Sequence, residues 1–413
     1  MGQGEAAPRW ARAKLHRGGP GRRYASLETG QAAAYGRGMP HPHGAGGASV
    51  MTMNFDEAPF LVIWETTQAC DLACRHCRAL AQPQRDPGEL TTAEAKAMLT
   101  RIREFGRIIV VFSGGDALKR PDIVDLVRHG AALGLRMAIT PATTPLCDRD
   151  MMARLKDAGL ARLAVSLDGS TPQIHDTFRR VEGSFDHGLR ILREAREVGL
   201  TTQVNTVVRR NNIDDMAAMC ALMGTLGIVF WEVFFLVPMG RAKPEDVASG
   251  AEFEAVFNQL YDLSQDAAFD IKATAAPQFS RVVLQRKQAE SAGDRDVLTA
   301  GAHHSMVDGI GRARNVTDGD GFLFVSHTGD IYPSGFLPIT AGNVRTDDIV
   351  EVYRNAPLFA QLRDRNNLTG KCGVCNYRSF CGGSRARAYA VTGDPFAEEP
   401  FCDYTPPRAL AVR

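Results

Sequence analysis

Phe60-Leu61-Val62-Ile63-Trp64-Glu65-Thr66-Thr67-Gln68-Ala69-Cys70-Asp71-Leu72-Ala73-Cys74-Arg75-His76-Cys77 is an apolar run followed at once by three cysteines. The first half, up to Thr66, is rich in β-branched and aromatic residues and reads as a buried strand. The second half has the spacing C-x3-C-x2-C. Three thiolates on one short loop offer an incomplete ligand set to a metal group that takes four. A closed structural site draws every ligand from protein, whereas a site that works on a bound molecule keeps one position open. A zinc knuckle completed by His76 is the alternative, because thiolates suit zinc as well as iron–sulfur clusters. The position of the loop favours the open cluster: it follows the C-terminal end of a strand, where α/β folds and barrels hold cofactors.

Outward from this stretch the chain alternates strand and helix. Ile108-Ile109-Val110-Val111-Phe112 reads as a second strand. The helix before it, over 91–105, begins at Thr91 or Thr92 with Glu94 placed as a cap partner. Further strands are expected over 135–140, 161–167, 202–208 and 229–237, with helices near 121–133, 148–158, 185–198 and 213–226. Repeated βα units with apolar strands imply a parallel sheet covered by helices. About six units in ~180 residues suit a partial barrel, since eight need more chain. The expected fold class is therefore α/β, a partial (β/α)6 TIM-like barrel with a small C-terminal Fe–S cluster domain.

The cysteine loop resembles the signature of radical S-adenosylmethionine enzymes. The resemblance implies a [4Fe–4S] cluster held by Cys70, Cys74 and Cys77, with S-adenosyl-L-methionine on the fourth iron. Reductive cleavage of that cofactor gives a 5′-deoxyadenosyl radical, which abstracts a substrate hydrogen. Ser113-Gly114-Gly115-Asp116, after the second strand, resembles the family's "GGE" turn, with Asp116 in place of Glu. Paired glycines allow a close backbone approach to a ligand. Ser166 and Asp168, at the end of the fourth strand, resemble positions that contact the cofactor; Asn205, inside the fifth, is a buried amide whose partners would come from the cofactor or from a neighbouring loop. Asp168 also reads as the start of a turn before Gly169. His76, Gly114, Gly115, Asp116, Ser166, Asp168 and Asn205 are thus the candidate cofactor contacts. Arg179 or Arg180 is a further candidate for the cofactor carboxylate.

A second signature closes the chain. Cys372, Cys375, Cys381 and Cys402 run as C-x2-C-x5-C-x20-C. Four thiolates form a closed set, for a structural or electron-conducting cluster or for zinc. The pattern resembles the SPASM extension, which usually binds two auxiliary clusters. Here Arg385 and Ser334 stand where further cysteines are usual, so one auxiliary [4Fe–4S] cluster is expected. Cys147 and Cys220 read as ordinary buried cysteines. The expected division is a leader at 1–56, a core at 57–240, a helical or irregular connection at 241–320 and a SPASM/twitch-like domain at 321–407.

Relatives of this type modify haem or other tetrapyrrole precursors, or ribosomally made peptides. Gly382-Gly383-Ser384-Arg385-Ala386-Arg387 resembles the group that trims acetate or propionate side chains of haem precursors. Arg385 and Arg387 would suit tetrapyrrole carboxylates, and equally helix ends or the cluster's charge. His303 and His304 are candidate haem-iron ligands. An electron donor such as flavodoxin or ferredoxin is implied. A non-catalytic Fe–S electron-transfer protein is the reading from another class.

Composition agrees with an enzyme. The chain has 413 residues and a formal net charge of +1, so no basic field suggests nucleic acid. The most apolar stretch, 228–237, is too short for a bilayer and contains Glu232. Seven of nine cysteines fall in two tight clusters, a metal pattern rather than a disulfide framework, and a reducing cytoplasm is expected. The first 50 residues hold seven Lys/Arg against two Asp/Glu, a net +5 that leaves −4 for the rest. That Gly-, Ala- and Arg-rich leader reads as unstructured, or as upstream of a true start at Met51 or Met53.

Overall fold

The computed structural model describes residues 54–290 and 316–407. The chain divides into Met1–Met51 and Thr52–Arg413. The first unit lies outside the described residues, and so do His303 and His304.

The barrel strands are β1 (Leu61–Glu65), β2 (Ile109–Ser113), β3 (Arg136–Ile139), β4 (Arg162–Ser166), β5 (Thr201–Val208), β6 (Phe230–Phe235) and β7 (Asp270–Thr274). The helices between and after them are α1 (Thr92–Ile102), α2 (Ile123–Ala132), α3 (Arg149–Asp157), α4 (Pro172–Arg179), α5 (Ser184–Glu197), α6 (Met216–Met223), α7 (Gly250–Asp266) and α8 (Gln278–Glu290). Thr91 caps α1 in a capping box with Glu94, as the sequence suggested. Neighbouring strands from β1 to β7 pair in parallel and in chain order.

Alternation along the strands separates two faces. Val62, Trp64, Val110, Phe112, Leu163 and Trp231 point towards the helices and are fully buried in the main core. Leu61, Ile109 and Ala138 point the other way and form a smaller apolar cluster at the start of the first strands. On β5, Thr202, Val204, Thr206 and Val208 are buried, while Thr201, Gln203, Asn205 and Val207 are half-exposed on the concave face.

The segment 241–320, expected as a helical or irregular connection, holds the helices α7 and α8 and also the strand β7. Asp270-Ile271-Lys272-Ala273-Thr274 escapes notice because Ile271 alone of its five residues is buried. The segment from 321, expected as a SPASM/twitch-like domain, begins with β8 (Phe322–Val325), which pairs in parallel with β1, Leu61 opposite Phe322 and Trp64 opposite Val325. β9 (Asp330–Tyr332) and β10 (Gly342–Asn343) then extend the sheet in antiparallel fashion. Among the described residues, ten strands form one open sheet in the order β10-β9-β8-β1-β2-β3-β4-β5-β6-β7.

Leu323 on β8 is 0 % exposed and belongs to the same core as Trp64 and Trp231. Leu323→Ala should therefore destabilise the barrel itself, by about 2–5 kcal/mol. Denaturant unfolding followed by tryptophan fluorescence should remain a single transition with a lower midpoint; an unchanged tryptophan midpoint would contradict the shared core.

Candidate active site

The cysteine loop is fastened to the turn after β2 before it reaches its first cysteine. Thr66 donates to Ser113 O through its amide (2.8 Å) and its hydroxyl (3.0 Å). Gly115 N donates to Thr67 O at 2.8 Å and Asp116 N to Ala69 O at 2.7 Å. A Cβ on Gly114 would stand 2.4 Å from Thr67 O, and one on Gly115 2.5 Å from Ala69 O. Gly114 also has a φ of +149°. The glycine pair is thus explained by contact between two protein loops, where the sequence suggested approach to a ligand. The Asp116 carboxylate is buried and accepts from Leu118 N, Ala142 N and the Thr144 hydroxyl, tying this turn to the loop after β3.

Each of the three sulfurs accepts an N–H. Leu72 N lies 3.3 Å from Cys70 Sγ, Ala81 N 3.4 Å from Cys77 Sγ, and Arg179 Nη1 3.7 Å from Cys74 Sγ. Burial pushes the Cys70 thiol up to about 12 despite the Leu72 N–H on its sulfur, so a bound cation is what would make a thiolate stable there. Among the described residues, no group of three or more His, Cys, Asp or Glu side chains converges as a cage for one metal ion.

Asp168 and Arg179 form the ion pair beside this loop. Arg179 Nη2 is 2.6 Å from Asp168 Oδ2, and Val207 N donates to Asp168 Oδ1 at 2.8 Å. Burial would raise the Asp168 pKa, but Arg179 holds it below the usual carboxylate range. Asp168 therefore acts on the cysteine loop through Arg179, and the turn reading misses this. His76 stacks on Phe178 at 4.3 Å, and Arg209 covers the same ring at 3.9 Å. Burial, then Arg179, pushes His76 down to about 3, so its ring is neutral, and its Nδ1 has no partner among the described residues. Ser166 and Asn205 sit opposite each other on β4 and β5.

Below Asn205 runs a polar row that the sequence reading overlooked. Gln203 Nε2 donates to Asn205 Oδ1 and to Glu232 Oε2, both at 2.7 Å. Thr274 donates to Glu232 Oε1 at 2.6 Å. The available signal was Gln203 and Asn205 alternating with valine and threonine in one strand. Glu65, at the end of β1, is also buried; it pairs with Arg78 and with His327 Nδ1 at 2.9 Å.

The C-terminal cysteines lie among the helices α9 (Ile349–Asn355), α10 (Pro357–Arg363), α11 (Gly370–Gly373) and α12 (Arg385–Thr392). Cys372, Cys375, Cys381 and Cys402 line one recess with about 360 Å³ of atom-free space, partly continuous with solvent. Glu399 N donates to Cys372 Sγ (3.3 Å), Tyr377 N to Cys375 Sγ (3.4 Å) and Gly383 N to Cys381 Sγ (3.4 Å).

The two arginines of the Gly-Gly-Ser segment do not face a substrate. Arg385 is 0 % exposed and donates to Pro395 O (2.9 Å), Ala397 O (2.7 Å) and Cys372 Sγ (3.8 Å). Arg387, equally buried, pairs with Glu399 at 3.0 Å and reaches Phe235 O on β6 at 3.2 Å. Ser334 donates to Asp318, whose other oxygen accepts from Ala386 N at 3.0 Å. Ser334 is thus tied through Asp318 to the backbone of Ala386, next to Arg385, whose own side chain bonds elsewhere. Cys147 is buried in the main core, and Cys220 packs against it.

Comparison with known proteins agrees with this geometry. The Radical SAM superfamily model matches residues 64–223. The AdoMet-dependent heme synthase of Methanosarcina barkeri is 38% identical over 349 residues, 84% of this chain and 97% of the relative. That of Nitratidesulfovibrio vulgaris is 38% identical over 355 residues, 86% of this chain and 94% of the relative. A more distant relative, the PqqA peptide cyclase of Rhodopseudomonas palustris, is 28% identical over 84% of this chain and 88% of its own length. The fold is also that of Streptococcus suis SuiB, with a TM-score of 0.64 at 16% identity over 84% of this chain and 78% of SuiB. The chain belongs to the radical S-adenosylmethionine superfamily. It is an enzyme of a family that implies a [4Fe–4S] cluster and S-adenosylmethionine. Among the described residues no helix is long and apolar enough to cross a membrane.

Gly115→Ala should force the two loops apart, lowering stability by about 1–3 kcal/mol and reducing the iron retained after anaerobic reconstitution. Full iron content at wild-type stability would contradict the loop-contact role. Arg179→Met leaves Asp168 as an unpaired buried charge and should cost about 3–5 kcal/mol in denaturant unfolding.

Proposed function

We propose that Cys70, Cys74 and Cys77 hold the [4Fe–4S] cluster of this enzyme and that its substrate is a haem-type tetrapyrrole precursor. Held at these thiolates, the cluster together with S-adenosylmethionine would supply the radical chemistry for abstracting a substrate hydrogen. The chain's own residues prepare the place. Leu61, Ile109 and Ala138 fill the concave face at the start of the strands and keep water from entering there. Ser166, at the end of β4, and Asn205, opposite it within β5, offer a hydroxyl and an amide to the cofactor. Gly114, Gly115 and Asp116 hold the cysteine loop at its height above the sheet. Phe178 fixes the neutral ring of His76 beside the cysteines.

The substrate reading rests on one observation. Likeness to two heme synthases is 38% over nearly their whole length, against 28% for a peptide cyclase. Since Arg385 and Arg387 are engaged inside the C-terminal segment, carboxylate recognition falls to other residues. Phe234, Tyr332 and Phe336 supply partly exposed aromatic surface near the ends of β6 and β9, with Tyr332 stacked at 6.1 Å on the buried Phe324.

One auxiliary [4Fe–4S] cluster at Cys372, Cys375, Cys381 and Cys402 completes the reading, with 321–407 as its domain. Four cysteines lining one recess support it, and Ser334 and Arg385, standing where the resemblance implies further cysteines, support a single cluster. A one-electron donor of the flavodoxin or ferredoxin type is required. All nine cysteines are free, which suits a reducing cytoplasm.

The test is anaerobic incubation with S-adenosylmethionine, a strong reductant, and either iron tetrapyrroles bearing propionate side chains or candidate peptides. We expect 5′-deoxyadenosine together with loss of carboxyl mass from a tetrapyrrole. Modification of a peptide with every tetrapyrrole untouched would overturn the substrate reading. Iron should number about eight per chain, falling to about four in a variant lacking all three loop cysteines. Cys74→Ala alone should abolish 5′-deoxyadenosine formation.

A further inference from the structure

Gln278, the first residue of α8, is 1 % exposed, and neither Nε2 nor Oε1 has a hydrogen-bond partner among the described residues. An unpaired buried polar group costs about 1–3 kcal/mol, so an amide with both ends unpaired is an expensive choice at a core position. It lines the same recess as Cys372, Cys375, Cys381 and Cys402. One turn further on, Arg281 lines that recess too. The Arg281 guanidinium is fixed in place: Glu254 of α7 accepts from Nη1 at 2.9 Å, Gln285 accepts at 2.7 Å, and the Tyr404 ring lies 4.9 Å away. Arg281 Nε, like the Gln278 amide, has no partner. Both residues come from the barrel's helical layer, not from the segment that bears the cysteines.

A cluster held by four thiolates presents only acceptors to its surroundings, its sulfides and thiolate sulfurs, and it carries net negative charge that grows on reduction. The start of a helix adds partial positive charge in the same direction. We propose that α8 is the electrostatic cover of the C-terminal cluster, with Gln278 Nε2 donating to a cluster sulfur and Arg281 placing its charge beside it. Together they favour the reduced state. Gln278 is a positioning and tuning residue, not a catalytic one. The inference rests on the auxiliary-cluster reading above.

The experiment uses the full-length chain with Cys70, Cys74 and Cys77 all replaced by alanine, so that only the C-terminal cluster gives a signal. Redox titration monitored by electron paramagnetic resonance is run on this background and with Gln278→Leu or Gln278→Glu added. Gln278→Leu should shift the ratio of reduced to oxidised cluster at least tenfold towards oxidised at a fixed potential, about 59 mV for a one-electron couple. Gln278→Glu, which adds negative charge, should shift it further the same way. An unchanged potential with iron retained overturns the inference. If Gln278→Leu sheds iron, Gln278→Asn decides, since its shorter amide withdraws the donor but stays polar. A lowered potential supports the inference and an unchanged one overturns it. Absence of iron from the starting background would overturn the auxiliary-cluster reading itself, an outcome distinct from a failure of Gln278.

Discussion

The backbone of Gly114 and Gly115 lies against the backbone of Thr67, Gln68 and Ala69 with no room for a side-chain carbon between them. Two hydrogen bonds, from Gly115 to Thr67 and from Asp116 to Ala69, hold that contact. From it the upper rim of the barrel is assembled as a chain of ties. Asp116 passes the constraint to Thr144 in the loop after β3. Asp168, after β4, reaches back through Arg179 to Cys74. Four strand ends are thereby fixed relative to one another by buried hydrogen bonds and one buried ion pair. Each bond contributes only about 1 kcal/mol net, but breaking any of them strands a buried partner. The cysteine loop thus takes its shape from protein contacts before any cofactor is considered.

Much of this was legible in the sequence. The six strands β1 to β6 announce themselves because their helix-facing residues are apolar, and the cysteine spacing marks the site whatever the surrounding fold. β7 was invisible for a physical reason: a strand whose concave side is polar and whose outer side offers one buried isoleucine has no hydrophobic period to detect. β8 was not among the expected strands, and its place beside β1 leaves no local signal, since the paired segments lie some 260 residues apart. Gln203, Glu232 and Thr274 become a network only when three strands lie side by side. Arg385 and Arg387 show the limit of reading chemistry from residue type. Guanidinium groups suit carboxylate substrates, yet both are consumed by carbonyls, a thiol and Glu399 inside the fold.

The two cysteine sites differ in how their surroundings treat charge. At the first, a salt-bridged arginine is the cationic neighbour and the adjacent histidine is kept neutral. At the second, Arg281 and Arg385 crowd the recess, and Arg387 links the segment to β6. A fully buried Arg–Glu pair such as Arg387–Glu399 adds little net stability over an apolar pair, but it penalises any packing that separates the partners. Its contribution is to fix where the C-terminal segment docks.

The parallel pairing of β8 with β1 also makes this enzyme indivisible. β1 is an interior strand only because a piece of chain from beyond residue 320 completes its second row of backbone hydrogen bonds. A protein shortened to the barrel residues would present Leu61, Val62 and Ile63 along a bare strand edge, with unpaired amides and carbonyls and no charge to repel a second copy. Such an edge is a template for intermolecular sheet growth. The C-terminal segment is therefore also the guard of the strand that carries the first cysteine loop, and the fold ties the solubility of the one to the presence of the other.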